Sequence, residues 1–463
     1  MRVALTEEVV LLTISRENKI LVAVMIGSFL TPFTGSSINL SLPDIGREFM
    51  VGTSALSWII EAFLMVCAIF VLPMGQLSNR WGKRAIYLLG TGGFAIVSFM
   101  IHFTSSIEML MILRILQGIC SAMIFATGTA IVAQAYPIEK RGKAMGLVVS
   151  VVYIGLAVGP VVGGFLNYNF GWRSIFYFTA TLGTLAFLMT LFWMKENWKT
   201  PGQDHLNAMS IVLYSTTLVL IMYGLSEFVN QPIAKYLLLA GLVLAVIYVI
   251  HEARTEKPLI PVQIFMENKM FAFSNLAAML NYSATFAIGF LLSLYLQMIM
   301  GFNSATAGLI LLVQSIIMSV LSPVTGAMSD RYGSAVMASS GMGIIACGLV
   351  VILYAIHISA LTIIIAGLVV VGFGFAMFSA PNNNAIMSSV PPKYFSFASS
   401  VIGTVRLLGQ VLSMAIVASI LSRTSSAGEV GSSAALLENI QIAFVVFAVF
   451  CAIGIVPSMI RNR

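Results

Sequence analysis

Two ionisable side chains lie where an apolar chain ordinarily holds none. Glu61 falls inside SALSWIIEAFLMVCAIFVLP (Ser54 to Pro73), and Arg114 lies about two turns into an apolar run that opens near Glu108. Charge at that depth is expensive unless it is partnered or wet, so each is first a functional candidate. Low dielectric disfavours the charged form of a carboxyl, and a carrier that moves protons needs a group that is neutral in one state and charged in another. Asp44, Glu108, Glu227 and Glu438 sit at the ends of apolar runs, which leaves Glu61 as the acid well inside one. Counted from the same ends of their runs, Glu61 and Arg114 have similar depths, so they are expected to pair in one state and part when Glu61 takes a proton. Three structural readings compete: a permanently paired Glu61, a Glu61 that reaches the interface, and an Arg114 that only ties helices together.

The elements that must position these residues are membrane spans. The chain is 59% hydrophobic and 9% charged, against about 45–50% and 25% for soluble domains. Apolar stretches of about 20 residues, the length of a bilayer-crossing helix, recur to the C-terminus. Fourteen spans are expected, opening near Ile20, Ser54, Ala85, Glu108, Gly142, Trp172, Leu206, Tyr236, Met270, Thr306, Val336, Ala360, Phe397 and Glu438. Glu7, Glu8, Arg16, Glu17 and Lys19 precede the first run, so a cleaved signal peptide is not expected. Cys67, Cys120, Cys347 and Cys451 all lie in apolar runs and read as small hydrophobes, not a disulfide or metal framework.

The net charge of +7 follows topology. With both termini on one side, the loops of the other side hold only Arg47, Arg173, Lys235 and Arg423, while Arg114 and Arg406 lie within spans. That asymmetry places both termini in the cytoplasm of a cell-membrane protein and gives no reason to expect nucleic acid as a partner.

GQLSNRWGKR (Gly75 to Arg84) follows span two and GAMSDRYG (Gly326 to Gly333) follows span ten, each after a proline near the helix end, Pro73 and Pro323. They read as one turn used twice, eight spans apart, so two helices are inserted between two six-helix units. The expected organisation is a cytoplasmic N-terminal segment (1–19), a first six-helix bundle (20–200), two additional spans (201–252), a linker (253–269) and a second bundle (270–463). Parallel repeats of this kind place a site near the midplane between halves that rock against each other.

On this organisation the chain resembles the major facilitator superfamily. GLAVGPVVGGFL carries Gly155, Gly159 and Gly163 on one helical stripe with Pro160 and Gly164 beside it, spacing that lets another helix approach closely. It is similar to the fifth-helix motif of the family's antiporters. LRILQGICSA, with Arg114, Gln117 and Gly118, looks like the fourth-helix motif of proton-coupled members, which implies a proton site around the arginine. The two turns, with Gly75, Asn79, Arg80, Gly82 and Arg84 in the first and Gly326, Asp330, Arg331 and Gly333 in the second, match the family's cytoplasmic latch. Asn79 replaces the acid of the first copy, which implies a weaker latch.

SSINLSLPDI, EKPLIPVQIF, LYLQMIMGFNSATAGL and FSAPNNNAIMSSVPP, in that order, resemble segments of the fourteen-helix drug/proton antiporters. The acid that this branch carries in helix one falls on Thr34, which cannot hold a transported proton, so Glu61 is expected to substitute.

The resemblance implies a substrate cavity, for which Thr34, Asn39, Phe63, Asn281, Tyr282, Phe286, Phe290, Tyr295, Gln297 and Asn382 are candidates. Aromatic and amide groups with nearby Met suit loosely bound amphipathic molecules, and Glu61 suits cationic ones, though many of these side chains serve packing. The expectation is a proton-coupled, monomeric exporter of small amphipathic compounds without cofactor or metal; an adaptor protein is neither implied nor excluded. A carrier for a single metabolite is the alternative. An enzyme lacks support: His102, His205, His251 and His357 lie at helix ends or in loops, without HExxH, Walker or nucleophile-elbow patterns. A pore lacks a repeated filter segment.

Overall fold

The computed structural model describes residues 15–199, 207–228, 231–255, 258–260, 262–391, 395–426 and 433–461. Fourteen membrane-spanning segments run through them. Helix α1 (Arg16–Ser37) continues through a tightened 3-10 turn (Ile38–Ser41) into a short helix (Leu42–Phe49). It is followed by α2 (Thr53–Trp81), α3 (Lys83–Met100), α4 (Ile107–Ala135), α5 (Ile138–Phe170), α6 (Arg173–Trp193), α7 (Ala208–Ser226) and α8 (Pro232–Arg254). A short surface helix (Val262–Glu267) leads into α9, which runs Lys269–Thr285, breaks, resumes at Ile288–Leu294 and widens to a π-turn at Tyr295–Ile299. Then come α10 (Ser304–Tyr332), α11 (Ser334–His357), α12 (Leu361–Ser388), α13 (Phe395–Ser426) and α14 (Ser433–Ile460).

Each expected span opens within a few residues of an observed helix. The starts are set by polar side chains that accept from otherwise unpaired amides: Ser106 caps α4, Asn207 caps α7, Asn268 caps α9 and Asn303 caps α10. Six prolines, Pro32, Pro73, Pro160, Pro323, Pro381 and Pro457, lie within helices, where neighbouring helices support the interrupted backbone.

The packing shows the inserted pair directly. In the first half α1 packs on α4, α5 and α6, α2 on α4, and α3 on α4 and α6. In the second half α9 packs on α12, α13 and α14, α10 on α12, and α11 on α12 and α14, the same set displaced by eight helices. The halves meet along α5 with α10 and along α2 with α13, two contacts that the same displacement exchanges. Helices α7 and α8 pack on each other, and α7 leans on α2 and α13 at the edge of that second seam.

Candidate functional site

Arg114 is fully buried on α4. Its Nε donates to the Ile59 carbonyl of α2 at 3.1 Å and its Nη1 to Gln117 Oε1 at 2.7 Å, while the guanidinium lies 4.2 Å over the Phe63 ring. Gln117 in turn donates to Ser98 Oγ on α3 at 2.8 Å. Gly118 lets the two backbones approach this closely, since a Cβ there would lie 2.7 Å from the Phe63 carbonyl oxygen. Arg114, Gln117 and Gly118 thus act as one unit that locks α2, α3 and α4.

Glu61 is also fully buried, but it faces elsewhere. Ile59 and Phe63 meet α4, and Glu61, midway between them in sequence, projects from the opposite side of α2. The Ser226 hydroxyl of α7 donates to its Oε1, and its Oε2 has no hydrogen-bond partner. The expected Glu61–Arg114 ion pair is not formed in this structure: Arg16–Glu196, Arg47–Asp44 and Arg173–Glu48 are the ion pairs among the described residues. Trp58 Nε1 donates to Glu227 at 3.0 Å and the Tyr214 hydroxyl to the Ala68 carbonyl at 2.8 Å, so α7 is joined to α2 at three heights, with Glu61 at the middle one.

The α5 stripe faces α1. A Cβ on Gly155 would lie 3.0 Å from the Phe29 carbonyl oxygen, one on Gly163 2.6 Å from that of Ser37, and one on Gly159 would overlap Ser36 Oγ. The neighbouring residues face the other half. Gly164 abuts the Ser304 backbone of α10, and a Cβ on Gly308 would lie 2.5 Å from the Pro160 carbonyl oxygen. Ser304 Oγ donates to the Gly164 carbonyl at 3.2 Å and Ser293 Oγ on α9 to that of Asn39 at 2.7 Å. The halves are therefore in backbone contact toward the face opposite the termini.

The two turns are superposable in chemistry. Ser78 Oγ donates to the Gly75 carbonyl and Ser329 Oγ to the Gly326 carbonyl, both at 2.7 Å. Gly82 (φ 101°) and Gly333 (φ 86°) then turn the chain into the next helix, in a backbone region that L side chains rarely adopt. Asn79 accepts from Lys83 Nζ at 3.4 Å, Arg84 donates to the Leu191 carbonyl at 3.1 Å, and Arg80 and Arg331 lie at the surface. The side chain of Asp330 lies outside the described residues.

The cavity candidates divide. Phe286, at the break in α9, lines a central pocket together with Thr31, Pro32, Gly35, Phe125, Leu156, Arg406, Leu407 and Gln410. Tyr282 and Tyr153 share a hydroxyl hydrogen bond at 3.0 Å across the halves, and Tyr153 also meets Ser379 at 2.9 Å and Asn383 at 3.2 Å. Thr34 and Asn281 are buried with unpartnered polar atoms, as is the Asn39 side-chain oxygen. Gln297 lines a separate cavity of about 750 Å³ at the face opposite the termini, with Asp44, Arg47 and Asn167. Phe63 belongs to the Arg114 unit, Phe290 and Tyr295 are fully buried packing residues, and Asn382 is held by Arg461 at 2.6 Å. The lining set read from sequence lacked Thr31, Phe125, Arg406 and Gln410, and it lacked Tyr153, which ties the halves through Tyr282 and Ser379; Gln410 stands one turn beyond the in-span Arg406 and Tyr153 just before the α5 glycines, and those positions were the available signal.

The sequence profile of the Major Facilitator Superfamily matches residues 24–414, and again 274–462. The chain belongs to that superfamily. Its fold is accordingly shared with a bacterial homologue of the human lysosomal transporter Spinster, at TM-score 0.69 and 15% identity, covering 97% of this chain and 98% of that one. Among curated relatives, the riboflavin transporter RibZ of Clostridioides difficile (strain 630) is 28% identical over 447 residues, 96% of this chain and 97% of RibZ. The multidrug resistance protein Stp of Mycobacterium tuberculosis (strain CDC 1551 / Oshkosh) is 27% identical over 414 residues, 88% of this chain and 76% of Stp. As a major facilitator protein with fourteen spans, the chain is a multi-pass membrane transporter, consistent with the fourteen-helix drug/proton branch.

Proposed function

We propose that this facilitator exports small amphipathic organic molecules across the cell membrane in exchange for protons, by alternating access. Residues 20–200 and 270–463 form the rocking bodies, 253–269 links them, and both termini are cytoplasmic. The observation that carries proton exchange is Glu61, a carboxyl buried in a span with one oxygen unpartnered and no cation paired to it. Such a group is tolerated as the neutral acid and must reach polar surroundings before it ionises. The α5 glycines, seated on α1 and beside α10, support a seam that closes and opens between the halves. The likeness to a multidrug resistance protein supports a broad substrate range.

A second reading, a carrier for one metabolite, is favoured by the likeness to a riboflavin transporter over nearly the whole of both chains. Competition separates the two: a multidrug exporter is inhibited by structurally unrelated dyes, a dedicated carrier by one chemical series.

The test is dye-dependent proton movement in proteoliposomes under an imposed pH gradient. Glu61→Gln keeps an acceptor for the Ser226 hydroxyl but cannot titrate; Ser226→Ala removes the tie and keeps the carboxyl. Loss of coupling in E61Q with coupling retained in S226A supports the proposal. Normal coupling in E61Q makes Glu61 a fastener of α7 and places proton binding elsewhere.

A further inference from the structure

The central pocket holds a cation that no acid among the described residues neutralises. Arg406 of α13 is 94% buried, at 6% exposure. Among the described residues it enters none of the ion pairs, and no hydrogen bond of its guanidinium is formed with them. Its guanidinium carbon lies 5.1 Å from the Phe125 ring of α4. A ring face attracts a cation but gives it no acceptor for its five N–H groups. Within the same lining, Gln410 lies one helical turn along α13, 6% exposed, and the Thr31 hydroxyl of α1 is buried and without a partner. The walls between these polar groups are apolar: Pro32, Phe125, Leu156, Phe286 and Leu407. They come from α1, α4 and α5 of one half and α9 and α13 of the other, so the pocket lies on the seam that alternating access must open.

A guanidinium that lines the pocket without a protein acceptor leaves its N–H groups open to a partner that arrives from outside the chain. The acid that made a cationic substrate attractive on sequence grounds, Glu61, faces α7 and does not line this pocket. We propose that the transported molecule is an aromatic or amphipathic organic anion, whose negative group binds Arg406 with help from Gln410 and Thr31, and whose apolar body lies against Phe125, Phe286 and Leu156. This rests on the reading of the chain as an exporter working through its central seam. The pocket measures about 10 Å³ here, room for about one water, so loading requires the halves to part. Arg406 then sets the sign of the charge that the opened site accepts, since a cation brought beside it is repelled.

The experiment compares two xanthene dyes of matching shape and opposite charge, anionic fluorescein and a cationic rhodamine ester. Fluorescence anisotropy measures binding to the purified full-length protein in nanodiscs, for wild type, Arg406→Gln and Arg406→Lys. Fluorescein is expected to bind wild type more tightly than the rhodamine, and R406Q to weaken it by roughly 10- to 100-fold, the range of one charged hydrogen-bonding contact. R406Q should hold the rhodamine at least as well as wild type, which also shows that the variant is folded, and R406K should recover part of the fluorescein binding. Tighter rhodamine binding by wild type, fluorescein binding unchanged in R406Q, or no fluorescein binding at all overturns the proposal. Proton movement in proteoliposomes keeps the two proposals apart. Arg406-dependent fluorescein binding without proton-driven movement refutes proton exchange and leaves the anion site standing, whereas proton-driven rhodamine transport that ignores Arg406 does the reverse.

Discussion

Gly308 offers a sharp test of the seam between the halves. A Cβ at this position would lie 2.5 Å from the Pro160 carbonyl oxygen and 3.0 Å from Leu40 Cδ1. Leu40 has rotamers to spare, but the oxygen is backbone, and a carbon settles against a carbonyl oxygen at about 3.3 Å or more. Gly308→Ala therefore needs about 0.8 Å of separation between α5 and α10. Overpacking of this size costs about 1–3 kcal/mol, and the cost applies only while the two helices touch. It should shift the population away from the state closed on the face opposite the termini by about 5- to 150-fold. The assay is pulsed EPR in nanodiscs with spin labels at Tyr168 and Met298, both lining the cavity on that face, in a background with the four cysteines replaced. G308A should enlarge the long-distance population. Gly118→Ala, whose Cβ would press 2.7 Å from the Phe63 carbonyl oxygen inside one half, should lose stability without moving the distances. An unchanged distribution in well-folded G308A, or equal shifts in both variants, refutes the reasoning.

Arg114→Ala leaves Gln117 Oε1 without its donor and removes the added bond to the helical Ile59 carbonyl, a loss of about 1–3 kcal/mol for the group left unpaired, readable as a lower unfolding midpoint in detergent; a midpoint equal to wild type would remove its role as a lock. Gly82→Ala and Gly333→Ala force side chains into φ of 101° and 86°, at about 1–3 kcal/mol apiece; a Cβ on Gly82 also overlaps the Asn197 side chain while one on Gly333 meets open space, so both should lower the thermal midpoint and G82A the more, and an unchanged midpoint in G333A would count against the backbone argument. Burial pushes the Arg461 guanidinium down to about 10, so it stays charged in neutral buffer and keeps its bonds to Asn382 at 2.6 Å and Ser274 at 3.1 Å. R461A should destabilise the second half and R461K rescue it in part, as followed by proteolysis of α9 and α14; identical cleavage in all three proteins would count against that tie.

The sequence by itself determined what depends on local chemistry. Composition and the length of apolar runs set fourteen helices, because lipid leaves the backbone no other open-chain solution. Gly75 to Arg84 and Gly326 to Gly333 showed the repeat, because a tight turn with a positive-φ glycine needs the same residues wherever it is used. The Gly155, Gly159 and Gly163 spacing showed a close-packing face, because a helix brings every fourth residue to one side.

What the tertiary structure decided was direction around each axis. Depth along the membrane normal aligned Glu61 with Arg114, but two residues along a helix turn a side chain through roughly 200°, and Glu61 meets Ser226 of α7 while its neighbours Ile59 and Phe63 meet Arg114. Phe63 and Asn382 are oriented in the same way: each meets an arginine from another helix, Arg114 and Arg461. Arg406 was visible as one of two in-span cations, yet only the assembled seam, with Phe125 from α4 and Thr31 from α1 brought against α13, shows it facing a pocket without an acid. Long-range packing between segments far apart in the chain fixes those azimuths, and no local pattern encodes it.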